Sequence, residues 1–232
     1  MGLFKIKDLT YFYPDRDLPS LKNIDLQINE GEFVFLMGPS GCGKSSLLRT
    51  MAGLLPEFYG GKIGGEISYS GCSLSECNKK QLAKEIAMIF QDPEKQIIMT
   101  SVEHEIAFGL ENINLPYQEM RRRIAEVLAL FDLTSLKEES TFNLSGGQKQ
   151  KIILASALAM HPKVLLLDEP TSQLDPLSAQ EFLNYVHRLN LEWGLTVVLV
   201  EQRIDRCYHL ADKVIFMENG KILNQGNPRV MV

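Results

Sequence analysis

The feature that most restricts the fold of this chain is the apolar run FVFLM, at residues 33–37, which leads directly into GPSGCGKSS, at residues 38–46. Glycines in such a loop let consecutive backbone N–H groups turn toward an anion, and a following helix points its positive end at the same place. A strand before the loop and a helix after it are the context in which G-x-x-x-x-G-K-[ST] binds a polyphosphate. The sequence therefore predicts an α/β protein with a nucleotide-phosphate site.

The loop pattern also assigns roles to its polar residues. Lys44 is expected to reach the β and γ phosphates, and Ser45 can ligate Mg²⁺. Cys42 lies near a helix N-terminus and Lys44, which both favour a thiolate, so we hypothesise that its alkylation blocks ATP binding; the alternative is an inert small residue. The predicted phosphate contacts are Gly38, Pro39, Ser40, Gly41, Cys42, Gly43, Lys44, Ser45 and Ser46.

Other short apolar runs predict the remaining strands of a largely parallel sheet. They lie at Ile86 to Phe90, Val164 to Leu167, Thr196 to Val200 and Val214 to Met217, and helical patterns separate most of them. Alternation in FKIKDL and IDLQI predicts antiparallel strands in about the first 35 residues. The Asn219-Gly220 pair predicts a closing hairpin.

Between residues 92 and 160 the pattern changes to helical spacing. Apolar residues recur on one predicted face, and SGGQKQKIILASALAM follows as a second helix. That face comprises Met120, Ile124, Val127, Leu128 and Phe131. We predict one domain over residues 1–232, with a P-loop NTPase core at 1–91 and 161–232. This core has a mainly parallel sheet and an N-terminal antiparallel β-subdomain, and an α-helical subdomain is inserted at 92–160.

Adjacent carboxylates follow the apolar strand in VLLLDEP, at residues 164–170. Two carboxylates beside a phosphate loop can divide the chemistry, Asp168 on Mg²⁺ or its water and Glu169 as the base for the attacking water. The alternative, that both cap the next helix, is weaker beside such a loop.

The segment LSGGQKQ, at residues 144–150, restricts further which class of phosphate-loop protein the chain can belong to. A serine and two glycines open a helix there, which makes a second anion-binding end that a ligand can approach closely. One bound nucleotide has no obvious need for two anion-binding helix N-termini. We therefore expect this end to serve the nucleotide of a partner subunit in a head-to-tail pair.

Composition and residue spacing argue against several other classes of protein. Lys and Arg number 24 against 29 Asp and Glu, and the net charge of −5 leaves no basic field to hold nucleic acid. The run Arg121 to Arg123 is interpreted as a solvated helix face. The four cysteines form no CxxC pair, and no apolar run approaches the ~20 residues needed to span a bilayer. Any membrane role is thus expected to come through a partner.

Together these motifs resemble the ATP-binding cassette (ABC) ATPase family over nearly the whole chain. GPSGCGKS resembles its phosphate loop, Gln91 in FQDP its glutamine loop, LSGGQ its signature, VLLLDEP its acidic strand, and SQLD, at residues 172–175, its dimer-contacting loop. Tyr13 stands where the family stacks an aromatic ring on adenine; taken by itself, it is more typical of a half-buried aromatic residue in a strand.

The resemblance implies ATP and Mg²⁺ as cofactors, with Ser45, Gln91 and Asp168 near the metal. It also implies a dimer that sandwiches two nucleotides, each between one phosphate loop and the partner's signature, from which Ser145, Gly146, Gly147 and Gln148 contact ATP. The second ATPase can be identical or different. Integral membrane subunits dock near the glutamine loop, so this subunit is peripheral, on the cytoplasmic face, and does not bind the transported substrate.

One branch of the family is especially similar. FQDPEKQIIMTSVEHEIAFGLEN, with a second glutamine at Gln96, and GLLPEFYGGKIGGEISYSG resemble the ATPases of energy-coupling-factor importers, which take up vitamins and metal ions. The alternative is a general ABC transporter ATPase. Members of the branch usually continue into a C-terminal helical region that supports pairing, whereas this sequence stops at GNPRVMV. We expect a short form or a truncated one, with pairing weakened without membrane partners.

The strand VVLV, at residues 197–200, ends where the family has a histidine that touches the γ-phosphate. Counting from the strand puts Gln202 at that position, with Glu201 as the alternative if the register slips by one. The catalytic residues implied are Glu169, Gln202 and Lys44. None of the four histidines is expected to substitute: His104 lies in the helical region, His161 precedes the acidic strand, and His187 and His209 lie in predicted helices.

The sequence argues against two functions outside transport. A soluble ABC ATPase acting on nucleic acid or ribosomes would favour a coiled-coil insertion, two cassettes or a basic surface, none of which the sequence has. A small-molecule P-loop kinase would leave LSGGQ without a role. The importer ATPase is therefore the leading hypothesis.

Overall fold

The computed structural model describes residues 2–230, so Met1 and the end of GNPRVMV, residues 231–232, lie outside it. Its strands are β1 (Gly2–Phe12), β2 (Leu21–Asn29), β3 (Phe33–Met37), β4 (Lys62–Tyr69), β5 (Cys72–Ser73), β6 (Ile86–Ile89), β7 (Val164–Asp168), β8 (Thr196–Val200), β9 (Lys213–Glu218) and β10 (Lys221–Gly226). Its helices are α1 (Lys44–Met51), α2 (Lys79–Glu85), α3 (Pro93–Gln96), α4 (Val102–Asn112), α5 (Tyr117–Leu130), α6 (Gly146–Ala159), α7 (Pro176–Trp193) and α8 (Ile204–Cys207). Short 3-10 turns occupy Thr134–Leu136, Thr141–Asn143 and Tyr208–Leu210.

The strands form two sheets. The larger has the order β10-β9-β3-β8-β7-β6 and is parallel except for the β9–β10 hairpin. The smaller, β2-β1-β4-β5, is antiparallel. The predicted fold class, an α/β core with a mainly parallel sheet and an N-terminal antiparallel sheet, is confirmed.

Helices and the smaller sheet cover both faces of the larger sheet. On β3, Phe33 and Phe35 face a core shared with helices α4 to α7, whereas Val34 and Leu36 face a second core shared with α1 and the smaller sheet. Strands buried on both faces have continuous apolar sequences, because neither set of alternate side chains meets water. This explains why the central strands were predictable.

The helical segment follows the predicted pattern. On α5, the residues Ile124, Val127 and Leu128 are buried, and α6 begins directly after Ser145. The division of the chain into a core and an inserted subdomain stays a prediction. His104 and His187 lie in α4 and α7, but His209 lies in a 3-10 turn rather than a longer helix.

The strand order determines where the functional residues meet. Strands β3, β8 and β7 are neighbours and parallel, so their carboxyl ends open on the same edge of the sheet. They lead into the glycine loop, into Glu201 and Gln202, and into Glu169, respectively. No helix within residues 2–230 combines the length and apolar character needed to cross a bilayer.

Candidate nucleotide site

The loop between β3 and α1 has a backbone that only glycine can adopt at two positions. Gly38 has φ +148, and a Cβ there would lie 2.0 Å from the carbonyl oxygen of Met217; Gly43 has φ +107, and its Cβ would lie 2.5 Å from that of Ser20. No side chain caps α1. The first N–H groups of α1 therefore stay available for an anion, as the sequence predicts.

Lys44 is only 6% exposed, and its position is fixed by the loop itself. Its Nζ donates hydrogen bonds to the carbonyl oxygens of Gly38, at 2.7 Å, and Pro39, at 2.9 Å. A buried ammonium group with only neutral acceptors is well suited to meet phosphate charge.

Ser45 and Asp168 meet at the start of α1 and the end of β7. The Ser45 hydroxyl donates to Asp168 Oδ1 at 2.9 Å. Burial raises the pKa of Asp168, and the hydrogen bond from Ser45 opposes that rise. A hydroxyl and a carboxylate are hard oxygen donors of the kind that Mg²⁺ prefers, so this pair fits the metal that the fold implies.

Glu169 is the point at which three loops converge. Gln91 Nε2, after β6, donates to Glu169 Oε2 at 3.0 Å, and Gln202 Nε2, after β8, donates to the same oxygen at 2.8 Å. Glu169 itself has φ +50, a conformation that non-glycine residues rarely adopt. The structure thus brings together side chains 78 and 33 residues apart around one carboxylate.

The structure distinguishes Glu201 from Gln202, the two candidates for the position where the resemblance places a γ-phosphate contact. Gln202 lines the opening, whereas Glu201 points into the protein, where it is 5% exposed and accepts hydrogen bonds from Thr171. Burial raises the pKa of Glu201, and the Thr171 hydrogen bonds oppose that rise. Gln202 is therefore the residue that stands beside Glu169.

A cavity of about 760 Å³ extends from these residues across the loop. At its far end, Tyr13 lies edge-on to Tyr11 with ring centroids 4.9 Å apart, and its hydroxyl lies 3.2 Å from Ser46 Oγ and accepts a hydrogen bond from Arg49 at 3.2 Å. Of the predicted site residues, the cavity lining includes Tyr13, Ser40, Gly41, Gly43, Lys44, Ser45, Ser46, Gln91, Glu169 and Gln202.

Some lining residues were missed from the sequence. They come from the β1–β2 connection, the start of β2 and the β9–β10 turn: Arg16, Leu18, Pro19, Ser20, Lys22, Asn219 and Gly220. The hairpin turn was predicted, but no local pattern indicates that it lies beside the glycine loop. Cys42 is 5% exposed, and its Sγ lies 3.9 Å from Lys44 Nζ, so it packs beneath the loop rather than lining the cavity.

The signature segment lies elsewhere. Ser145 caps α6 in a capping box with Gln148: the Gln148 backbone N–H donates to Ser145 Oγ at 3.3 Å, and the Ser145 backbone N–H donates to Gln148 Oε1 at 2.9 Å. Within the described range, Ser145, Gly146, Gly147 and Gln148 do not line the cavity. The N-terminus of α6 is therefore separate from the cavity, and its role as a second anion-binding helix end stays a prediction.

Comparison with known proteins agrees with this geometry. The family described as ABC transporter matches residues 21–172. A protein of Methanosarcina acetivorans, named as an ABC transporter ATP-binding protein, is 46% identical over 221 residues, which cover 95% of this chain and 34% of that protein. A similarly named protein of Pyrococcus horikoshii is 40% identical and is covered to 80%. The chain thus spans about a third of the first relative and most of the second.

Solved structures show the same likeness. CbiO1 of Clostridium perfringens, described as part of the ABC transporter complex cbiONQ, has a TM-score of 0.88 at 33% identity, covering 99% of this chain and 90% of that one. The cassette MJ0796, described as dimeric and bound to ADP and Pi, has a TM-score of 0.83 at 29% identity, covering 97% and 99%. The chain belongs to the ABC transporter family, as an ATP-binding cassette ATPase domain.

Proposed function

We propose that this chain binds and hydrolyses ATP to drive a membrane importer of the energy-coupling-factor type, for a vitamin or a metal ion. The observation that carries the proposal is the convergence of Gln91 and Gln202 on Glu169, beside the phosphate loop. Polar groups gathered from three strand ends are expected where a reacting phosphate must be held and a water activated.

The residues of the chain divide this work. Lys44 and the N–H groups of α1 hold the phosphates, and Tyr13 contacts the base. Ser45, Asp168 and Gln91 would hold Mg²⁺, which when bound neutralises charge on the phosphates. Glu169 accepts a proton from the water that attacks the γ-phosphorus, and the bond from this phosphorus to the β,γ-bridging oxygen breaks to release ADP. Gln202 and Gln91 hold the Glu169 carboxylate in place.

Pairing is the second part of the proposal. The signature, Ser145 to Gln148, is an anion-binding helix end away from this chain's own cavity. In a head-to-tail pair, whether the two chains are identical or different, each chain places its signature helix end on the ATP bound by the other chain. The related cassette MJ0796, which is described as dimeric, supports the pairing of two cassettes.

Docking on membrane subunits is the third part. Beyond Gln91, the side chains of Ile98 and Phe142 are 65% and 79% exposed. Their segments are joined, because the Thr141 backbone N–H donates to the Thr100 carbonyl oxygen at 3.0 Å. Exposed apolar residues on adjoining, hydrogen-bonded segments are typical of an interaction surface. We infer that a membrane subunit covers them and that the chain is peripheral, at the cytoplasmic face.

The import assignment rests on the resemblance to energy-coupling-factor ATPases and on the likeness to CbiO1. The transported substrate is expected to bind a membrane subunit rather than this chain. A general ABC transporter ATPase is the second candidate, because the relatives' names specify neither substrate nor direction.

Affinity purification of the tagged protein from solubilised membranes tests the proposal. We expect integral membrane subunits to co-purify and the complex to hydrolyse ATP. Lys44→Ala should weaken ATP binding and lower turnover at least about a hundredfold, whereas Glu169→Gln should lower turnover similarly and leave ATP binding intact. Recovery only in the soluble fraction, with turnover stimulated by DNA or ribosomes, would contradict the transport assignment. Full turnover in Glu169→Gln would remove that residue from the base role.

A further inference from the structure

Glu201 has a position that the proposed chemistry does not use. It follows β8 directly and is buried, at 5% exposure, beside the loop that carries Glu169. The ion pairs of the described residues do not include it. A buried carboxylate with no cation is costly unless its hydrogen bonds are strong.

Those hydrogen bonds come from one residue of the neighbouring loop. The Thr171 backbone N–H donates to Glu201 Oε1 at 2.9 Å, and the Thr171 hydroxyl donates to the same oxygen at 2.6 Å. Thr171 is itself 5% exposed. Both donors would lose their partner in a buried setting if the carboxylate were removed.

The loop held in this way is a strained one. Glu169 has φ +50, and such a conformation persists only where surrounding contacts fix it. Its backbone N–H donates to the Val200 carbonyl oxygen at 2.9 Å, so the loop is tied to β8 just before Glu201. Two residues later, Thr171 is tied to Glu201. Two attachments therefore hold the Glu169 backbone: one to Val200, the last residue of β8, and one, through Thr171, to Glu201.

The adjacent residues Glu201 and Gln202 therefore both contact the loop that follows β7, at different residues. Gln202 bonds the side chain of Glu169 at 2.8 Å, while Glu201 bonds the backbone and side chain of Thr171. We propose that Glu201 is a positioning residue, which holds the Glu169 loop through Thr171 so that the Glu169 carboxylate faces the phosphate site. This inference rests on the proposed ATPase function and adds a residue that acts through another.

Two matched pairs of variants in the full chain, purified with its co-purifying subunits, test the inference. Glu201→Met removes the acceptor at similar size, and Glu201→Gln keeps an acceptor oxygen. Thr171→Val removes the hydroxyl, and Thr171→Ser keeps it. We expect Glu201→Met and Thr171→Val to lower kcat at least about tenfold with the KM for ATP within about threefold, and the Gln and Ser variants to stay within about threefold of the unmodified kcat. Exposed Thr134→Val is the control and should match the unmodified protein.

The double variant Glu201→Met with Thr171→Val should be no slower than the slower single variant, because Glu201→Met already removes the acceptor of both Thr171 hydrogen bonds, including the one that Thr171→Val breaks. Additive losses, or a Glu201→Gln protein as slow as Glu201→Met, would overturn the inference. So would a folded Glu201→Met protein with unchanged kcat.

Hydrogen exchange of residues 169–172 gives a readout that does not depend on turnover. We expect exchange of the Thr171 amide to become at least about tenfold faster in Glu201→Met and to stay slow in Glu201→Gln. Unchanged protection in Glu201→Met would overturn the tether even if the complex hydrolyses ATP. A complex without ATP hydrolysis but with this exchange pattern would contradict the proposed function and leave the tether supported.

Discussion

At the scale of single residues, one carboxylate oxygen organises the site. Glu169 Oε2 receives hydrogen bonds from glutamines on two other loops. Lys44 and Glu169 could be predicted from the residues that follow buried strands, because the carboxyl ends of parallel strands share one edge. Gln91 and Gln202 could be predicted only from family resemblance. The sequence could not decide between Glu201 and Gln202, since alternation does not show which residue after a strand turns outward.

Gln202 gives the first prediction at this scale. A glutamine can donate to a phosphate oxygen but cannot take up a proton near neutral pH, whereas histidine can. We hypothesise that this site hydrolyses ATP slowly and works beside a non-identical ATPase. Gln202→His, in the assembled transporter with the partner ATPase disabled, should raise kcat severalfold and introduce a pH dependence near histidine's ordinary pKa of about 6.5.

The comparison in that experiment is the unmodified protein under the same conditions. Unchanged or lower turnover in Gln202→His, together with brisk turnover by the unmodified protein alone, would show that glutamine is sufficient. The proposal of unequal sites would then fail.

The cysteines give a second prediction, which revises the hypothesis about Cys42. Cys42 is 5% exposed, and burial raises the pKa of Cys207 to about 12, whereas Cys72 is exposed. Burial also raises the pKa of Cys77 to about 11. Because a thiolate must be both formed and accessible, iodoacetamide should modify Cys72 first and Cys42 at least about tenfold more slowly. Mass spectrometry of timed digests measures this order. Rapid labelling of Cys42 that ATP prevents would restore the original hypothesis.

At the scale of secondary-structure elements, the predictability of each element follows its burial. Strands β3, β7 and β8 are apolar on both faces and were predicted almost to the residue. Strand β4 was missed, because most of its positions are exposed and it carries Gly64 and Gly65. Its pairing with β1 depends on residues 50 or more positions away, which local pattern cannot indicate.

The charges of α5 lead to a prediction about pH. Arg122 and Arg123 bond Glu119, so the predicted solvated basic face is balanced by acidic neighbours. Hydrogen bonds from Arg122 and then Arg123 lower the pKa of Glu119 from 4.5 to about 2. A carboxyl group with a lowered pKa contributes stability that is complete above its unfolded value and is lost as the pH falls through its folded value.

Glu119→Gln should therefore lower the melting temperature slightly at pH 7, since solvent screens exposed ion pairs. The difference from the unmodified protein should begin to narrow once the pH falls below 4.5. Glu138→Gln, at an exposed glutamate outside α5, is the control. Thermal unfolding across this pH range would contradict the account if the difference grew as the pH fell.

At the scale of the whole molecule, the structure separates the two segments that we propose as halves of one site between paired chains. The cavity holds the phosphate loop and Glu169, while the signature helix begins elsewhere on the surface. The sequence predicted this separation only indirectly, from a second anion-binding helix end without a ligand of its own. Which chain supplies the other half is a property of the assembly, which no pattern within one chain encodes.

We propose that ATP is bound between two cassettes, with the signature of one on the nucleotide of the other. Native mass spectrometry of tagged Glu169→Gln protein, expressed in its host so that any natural partner is present, counts chains and nucleotides together. We expect saturating ATP to yield species with two cassettes and two ATP molecules, which dissociate when ATP is removed. A single cassette that retains ATP at saturation and never acquires a second cassette would contradict it.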